Sequence, residues 1–159
     1  MSEIKFVPLN KLLNKYPQHI ELIKEKYLKL LSELTVTSNL NTGLFKKNIE
    51  KINRMGKIII AIKGDINSQD NDFEIVASGT IVIEPKILRG GQSVGHIEDI
   101  VVLKEFRGKN ISQELLNILK IYAMYKNCYK VILDCSEEVK NVYIKNGFEV
   151  KDVHMVKYF

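Results

Sequence analysis

Apolar side chains recur at helical spacing in several segments of the chain, which places them on one face of a helix. The stripe after Pro17 predicts a first long helix. A second helix is expected over residues 42–56 and a third over residues 110–127. A short helix is expected over residues 137–146, with Gly147 as the residue that ends it. The stripe residues that we expect to be buried are Ile20, Ile23, Tyr27, Leu30, Leu31, Leu34, Leu44, Phe45, Ile49, Ile52, Ile111, Leu115, Leu119 and Tyr122.

Runs rich in β-branched residues lie between these segments and predict strands. The polar residues 64–72 separate two such runs and predict a β-hairpin with a long tip. The order strand, helix, strand from residue 97 to residue 135 fits a right-handed crossover between parallel strands. We therefore expect a mixed α/β fold, a central sheet flanked by helices, in one domain over residues 1–159. The predicted strands are 4–9, with Pro8 at its edge or end, 57–63, 74–84, 97–103, 129–135, 148–150 and 154–158.

The composition is ordinary for a globular protein, with 45% hydrophobic and 27% charged residues among 159. No apolar run approaches the roughly 20 residues of a membrane span, and the first ten residues lack a signal-peptide pattern, so we expect a cytoplasmic protein. The net charge of +5 suits an anionic partner. Because the lysines are scattered and no nucleic-acid motif is present, a phosphate-bearing small molecule explains the charge at least as well as nucleic acid. Cys128 and Cys135 lack metal-ligand spacing, so we expect reduced, buried thiols and no bound metal.

The stretch over residues 95–112 carries the strongest indication of function. Glu98 and Asp99 stand inside an apolar β-forming run, where acidic side chains are uncommon. In a regular strand they would point to opposite faces, and a bulge would change this. The basic turn at residues 107–109 follows, and Asn110 with Gln113 predicts a capping box at the next helix. Backbone N–H groups and the positive helix end would face an anion there, so a phosphate site is predicted close to two carboxylates.

Four motifs, in the order GHIEDIVV, RGK, CYKVILDC and NVYIKNGF, carry a family resemblance. Through these motifs the chain resembles the GNAT superfamily of acyl-CoA-dependent N-acetyltransferases. Within that superfamily it closely resembles the family of glucosamine 6-phosphate N-acetyltransferases. Leu34-Thr35 and Glu84-Pro85-Lys86 are also similar to that family. The resemblance implies a GNAT fold and acetyl transfer from acetyl-CoA to the 2-amino group of glucosamine 6-phosphate in a ternary complex. That reaction is a step toward UDP-N-acetylglucosamine.

The resemblance also implies where the ligands bind. The pyrophosphate of acetyl-CoA would lie on the turn after the central strand, and the pantetheine arm would pair with that strand as an added strand does. In the family the C-terminal strands pack across a homodimer, and the apolar terminal segment HMVKYF suits such pairing. The implied cofactor-binding residues are Ile100, Val101, Val102, Arg107, Gly108, Lys109, Asn110, Ile111, Ser112 and Tyr143. The implied substrate-binding residues are Thr35, Lys86, Arg89, Glu98, Asp99, Asp134 and Cys135.

Glu98, Asp99, Asp134 and Tyr143 are the catalytic residues that the resemblance implies. Amide formation from a thioester requires a neutral amine, a polarised carbonyl and a proton for the departing thiolate. The carboxylates would orient the sugar hydroxyls and amine, and the Tyr143 phenol would protonate the sulfur. On the residues alone, the strand carboxylates also fit an ion pair in the sheet, Tyr143 a core aromatic and Asp134 a helix cap. Cys135 is not expected to be a nucleophile, because no histidine is placed to activate it.

Some positions depart from the family pattern. Asn110 and Ser112 stand where glycines are usual in the pyrophosphate turn, Arg89 stands where a histidine is common, and Lys157 is the basic residue nearest the terminal basic position. Two other functions therefore stay open. One is acetyl transfer to another amine, such as a polyamine, an aminoglycoside or a protein N-terminus. The other is a catalytically silent acyl-CoA-binding module, and a panel of amines assayed with acetyl-CoA separates the two.

Overall fold

The computed structural model describes residues 3–68 and 72–159. The residues 69–71 of the predicted hairpin tip lie outside the described residues. The strands are β1 (Ile4–Pro8), β2 (Gly56–Gly64), β3 (Phe73–Pro85), β4 (Ser93–Val102) and β5 (Cys128–Ile132). The helices are α1 (Leu9–Lys15), α2 (Ile20–Leu31), α3 (Thr42–Met55), the single turn α4 (Leu88–Gly91), α5 (Ile111–Tyr125) and α6 (Lys140–Lys145), with short 3-10 turns at Pro17–His19 and Lys104–Phe106. The four predicted helices are present, and α1 and α4 were not predicted.

The strands form one sheet in the order β1-β2-β3-β4-β5. Neighbouring strands from β1 to β4 are antiparallel, and β5 is parallel to β4. The predicted β2–β3 hairpin and the β4–α5–β5 crossover are therefore confirmed. Pro8, which has no N–H to donate, lies at the end of the outer strand β1, as expected for proline in a sheet.

Helices α2, α3 and α5 turn their apolar stripes onto the sheet and build the core with it. Two predicted core positions are wrong. Leu34 is exposed because α2 already ends at Leu31, and Leu44 is exposed because it lies about 100° around α3 from Phe45, which takes the buried side. Of the helices in the described residues, none has the length and apolar character that crossing a bilayer requires. The predicted stripe residues that are buried are Ile23, Tyr27, Leu30, Phe45, Ile49, Ile111, Leu115 and Leu119.

The chain after β5 differs most from the prediction. The predicted strands over residues 148–150 and 154–158 are wrong, because within the described chain these residues pair with no strand. A strand requires a neighbour for its N–H and C=O groups, and β5 ends at Ile132 rather than at residue 135. The end of α6 is as predicted: Gly147 has a φ of +85°, and the Phe148 N–H donates to the Tyr143 carbonyl (3.1 Å).

Candidate active site

A β-bulge interrupts β4 at the two carboxylates that the sequence singled out. Asp99 and Ile100 together oppose a single residue of β3, Gly79, and Asp99 has a φ of +52°. The strand is therefore not regular here, and Glu98 and Asp99 do not follow the simple alternation of faces. Both residues are exposed at the surface, and the Glu98 carboxyl is partly desolvated. Bulges often lie beside active sites because they redirect side chains, so this geometry favours a functional role for the pair.

The second half of β4 has an open edge. β5 pairs only with residues 93–96 of β4 among the described residues. The Leu103 N–H donates to the Val76 carbonyl on β3 (2.9 Å). Because alternate residues of a strand direct their backbone groups to opposite sides, the Val102 carbonyl points away from β3. An extended molecule can therefore bind along Ile100 to Val102 as an added strand does.

Three carboxylates share the region beside this edge: Glu98, Asp99 and Asp134. Burial raises the pKa of the Glu98 carboxyl, and the charges of Asp99 and Asp134 raise that pKa further. The imidazoles of His96 on β4 and of His154 in the C-terminal segment lower the pKa of the Glu98 carboxyl. His154 in that segment has its Nδ1 3.1 Å from Asp134 Oδ2. The alternative that Asp134 caps α6 is wrong, since α6 begins at Lys140 with Val139 at the cap position.

Tyr143 lies on α6, half-buried, with its ring packed edge-on against Phe148 at a centroid distance of 6.1 Å. Burial raises the pKa of the Tyr143 phenol, and the neighbouring Cys135 side chain acts in the same direction. The phenol therefore keeps its proton at neutral pH, as a proton donor must. Cys135 is exposed and Cys128 is half-buried, so the expectation of two buried thiols is wrong. Cys135 is exposed because it follows the end of β5 instead of lying in the strand.

The turn before α5 adopts left-handed backbone at two positions. Gly108 has a φ of +74° and Asn110 a φ of +61°. The predicted capping box between Asn110 and Gln113 is wrong: within the described chain the Asn110 side chain makes no cap hydrogen bond, because a capping side chain requires extended backbone at that residue. The first N–H groups of α5 are thus not taken by this side chain. Ile111 is buried and Ser112 half-buried beside them.

The side chains of the two basic residues of this turn each donate to a backbone carbonyl that precedes them in the chain. The Arg107 Nε donates to the Val102 carbonyl (3.0 Å), and its Nη2 lies 3.3 Å from Glu33 Oε2. The Lys109 Nζ donates to the Glu105 carbonyl (2.9 Å) and stands 4.8 Å from the centre of the Phe106 ring. Both residues belong to the turn before α5, where the sequence predicts a phosphate site.

The residues expected around the phosphate group of the sugar lie in two loops. Thr35 is exposed in the segment after α2. Lys86 pairs with Glu84, whose second oxygen accepts from His96 Nε2 (2.7 Å). The hydrogen bond with Lys86 lowers the pKa of the Glu84 carboxyl, and the hydrogen bond with His96 lowers it further. Arg89 has left-handed backbone and places its guanidinium 5.4 Å from the centre of the Tyr129 ring.

Comparison with known proteins adds to this geometry. The model of the acetyltransferase (GNAT) family matches residues 49–148. The chain belongs to the GNAT acetyltransferase family. The GNAT fold that the sequence motifs implied is thereby confirmed.

Individual GNAT relatives match most of the chain. A glucosamine 6-phosphate N-acetyltransferase of Arabidopsis thaliana is 37% identical over 138 residues, which are 86% of this chain and 89% of that protein. A protein of the same name from Trypanosoma brucei brucei is 36% identical over 129 residues, 81% of this chain and 84% of its own. The crystal structure of glucosamine-6-phosphate N-acetyltransferase from Arabidopsis thaliana superposes with a TM-score of 0.80 at 32% identity and covers 99% of both chains.

Several residues of this GNAT site were not assigned by the sequence. His96 received no role from the sequence, yet its Nε2 contacts Glu84 and its charge lowers the pKa of the Glu98 carboxyl. A histidine two residues before a candidate carboxylate on one strand is a signal that would have found it, because such residues share a face. Glu33 carried no such signal, because its contact with Arg107 joins positions far apart in the sequence.

Proposed function

We propose that the chain transfers the acetyl group of acetyl-CoA to the 2-amino group of glucosamine 6-phosphate. The observation that carries the proposal is the cluster of three carboxylates beside the open edge of β4. The chain is also similar over most of its length to proteins named glucosamine 6-phosphate N-acetyltransferase. The product, N-acetylglucosamine 6-phosphate, would serve as a precursor of UDP-N-acetylglucosamine.

Acetyl-CoA would lie along the open edge of β4 and across the turn before α5. The backbone of Ile100 to Val102 would pair with the pantetheine amides, since an extended chain can add to an open edge. A diphosphate would accept hydrogen bonds from the N–H groups of the first turn of α5, which the left-handed backbone at Gly108 and Asn110 precedes. Arg107 and Lys109 would add charge to that contact.

The amino sugar would bind across the carboxylate cluster. We assign Glu98 as the group that accepts a proton from the amine. Its raised pKa is closer to the pKa of the amine than the pKa of an ordinary carboxylate is, which favours proton transfer between them. Asp99 and Asp134 would orient the ammonium form and the neighbouring hydroxyls. The phosphate of the sugar would be held near Thr35, Lys86 and Arg89, and Cys135, which follows Asp134 after β5, would border the sugar.

The proposed chemistry is a direct transfer. The neutral amine attacks the thioester carbonyl carbon, the carbon–sulfur bond breaks, and the electron pair leaves on sulfur. The Tyr143 O–H gives its proton to the thiolate, while Glu98 takes one from the amine. Proximity of the two bound substrates supplies the rest of the acceleration. The products are an amide and a free thiol, so the release of CoA thiol reports each turnover.

We propose further that the chain acts as a homodimer. The C-terminal segment exposes Val153, Met155 and Tyr158 at 85%, 88% and 88% of their surface. Beside it, β5 is an outer strand of the sheet. Exposed apolar side chains next to an unpaired strand edge favour association, and a second copy offers the same edge in return.

A thiol-release assay with acetyl-CoA tests the function. Glucosamine 6-phosphate should give turnover, and glucosamine, spermidine, an aminoglycoside and a peptide N-terminus serve as comparison amines. Turnover that is at least tenfold greater in kcat/KM with glucosamine 6-phosphate than with any of these is the expected result. Turnover with another amine alone, or tight CoA binding with no turnover, would overturn the proposal.

A further inference from the structure

The guanidinium of Arg107 takes up the position that the cofactor is proposed to use. Its Nε donates to the Val102 carbonyl at 3.0 Å, on the side of β4 that faces away from β3. A backbone amide of an added strand would donate to the same carbonyl from the same side. Arg107 therefore covers part of the edge along which the pantetheine arm would lie.

The same guanidinium is held by a second anchor outside the turn. Its Nη2 contacts Glu33 Oε2 at 3.3 Å, and Glu33 lies directly after α2 in the turn where its N–H donates to the Leu30 carbonyl (3.1 Å). The Glu33 side chain is only 25% exposed, whereas that of Arg107 is 53% exposed. The carboxylate is thus the better fixed member of the pair, and the arginine is the member that can move.

A diphosphate at the start of α5 would offer Arg107 a stronger partner than Glu33. It carries more negative charge, and phosphate oxygens accept two parallel hydrogen bonds from a guanidinium. An exposed ion pair such as the one with Glu33 contributes little to stability, so it can be exchanged readily.

We propose that Arg107 is a switch residue, which exchanges Glu33 and the Val102 carbonyl for the diphosphate when CoA binds. Glu33 competes with the diphosphate for the Arg107 guanidinium and thereby sets the affinity for CoA. This inference rests on the proposed function, because it assumes the cofactor position given above. Glu33 is a positioning residue here, since it acts through Arg107. Its removal should strengthen CoA binding, which a merely structural role would not do.

Titration calorimetry of CoA against the whole chain tests the inference. Glu33→Gln should lower the Kd of CoA by about two- to fivefold, because the competing carboxylate is removed. Glu33→Asp keeps the charge but withdraws it by one methylene from a contact that is already 3.3 Å long, so it should also lower the Kd, by at least about twofold. Thermal unfolding of each variant checks that the fold is unchanged.

Two controls separate the switch from a general change of charge. Glu105→Gln removes a carboxylate from the 3-10 turn just before Arg107, and it should change the Kd by less than about twofold because its contact with Lys109 uses the backbone carbonyl. In an Arg107→Ala background, Glu33→Gln should have no further effect, since the two residues form one pair.

The inference is wrong if both Glu33 variants bind CoA as the unmodified chain does or more weakly. It is equally wrong if Glu105→Gln reproduces the gain, or if the gain persists without Arg107. Failure of the proposed function looks different. In that case the unmodified chain binds no CoA, or binds it and releases no thiol with glucosamine 6-phosphate.

Discussion

Ile100 Cδ1 lies 2.5 Å from the point at which a Cβ on Gly79 would stand. The two residues face each other across the bulge, where β4 presents one residue more than β3. The same point is 3.1 Å from Leu119 Cδ1 and 3.2 Å from Leu115 Cδ2. The packing of α5 and the shape of the bulge both depend on the missing side chain.

Gly79→Ala should therefore destabilise the fold by about 1–3 kcal/mol, the usual cost of an extra group in a packed core. Urea unfolding measures this change. Gly43→Ala is the matched control, because a Cβ there meets its nearest neighbour, Asn41 Oδ1, at an ordinary 3.4 Å in a helix. Equal stability of the two variants would show that the bulge can adapt.

Replacement of Glu98 should alter the pH dependence of the reaction. Burial and the neighbouring carboxylates raise its pKa, so the carboxylate takes up a proton at a higher pH than an ordinary glutamate does. Glu98→Gln should lower kcat/KM by about 10²-fold where Glu98 is ionised. The ratio of unmodified to variant kcat/KM should shrink as the pH falls through the raised pKa, and this ratio cancels the titration of the amine itself.

The stability of the same variant provides an independent readout. A pKa that folding raises means that the charged form opposes folding, so the unmodified chain loses stability as the pH rises through that pKa. Glu98→Gln should have a higher Tm than the unmodified chain near neutral pH, and the difference should vanish at acid pH. Glu25→Gln, an exposed position on α2, should show neither effect. A Tm difference that is constant with pH would contradict the assignment.

Tyr143→Phe tests the proton donor. Loss of one oxygen should lower kcat by about 10²–10⁴-fold while the Kd of CoA stays nearly the same, because the ring packing on Phe148 is kept. Tyr125→Phe, which changes an exposed ring on α5, is the control and should retain full activity. If kcat of Tyr143→Phe stays within about twofold of normal, the phenol is a packing group only, since a general acid contributes far more.

Asn110 should tolerate glycine but not alanine. Its φ of +61° is open to glycine and costs an ordinary side chain about 1–2 kcal/mol. Asn110→Gly should keep the Kd of CoA within about threefold, and Asn110→Ala should raise it by about five- to thirtyfold or lower the stability by the equivalent amount. Calorimetry and thermal unfolding together measure the two possible losses. Equal behaviour of both variants would mean that the turn can bind CoA with another backbone conformation.

The proposed dimer has a direct test. Sedimentation at micromolar concentration should show one species near twice 18.3 kDa. Tyr158→Asp, which places a charge on the exposed apolar segment, should shift the species toward the monomer, and Glu25→Asp on α2 should not. A fully active monomer at the assay concentration would contradict the proposal.

Patterns within one element predicted the fold well. Helical stripes located α2, α3 and α5, and the polar loop between two β-rich runs located the β2–β3 hairpin. The failures arose where the outcome depends on a neighbour. The terminal segments have the residues of strands, but without a paired chain within the described residues they remain irregular.

The sequence predicted which types of residue form the site, but it did not predict the contacts between those residues. The position of Glu98 and Asp99 in an apolar strand indicated chemistry, but the bulge at Asp99 depends on Gly79, which lies on another strand. In the same way, the contacts of Glu84 with His96 and of Glu33 with Arg107 join residues that only the folded sheet brings together. The roles of the site residues remain predictions, with the tests described above.

The left-handed backbone of Asn110 also bears on how such turns are recognised in other chains. The turn has left-handed backbone at this position, and asparagine is one of the few residue types besides glycine that adopt it at small cost. A search pattern that demands glycine at this position therefore excludes sequences that reach the same geometry with asparagine. A pattern that admits both residues would find turns of this geometry that the stricter pattern overlooks.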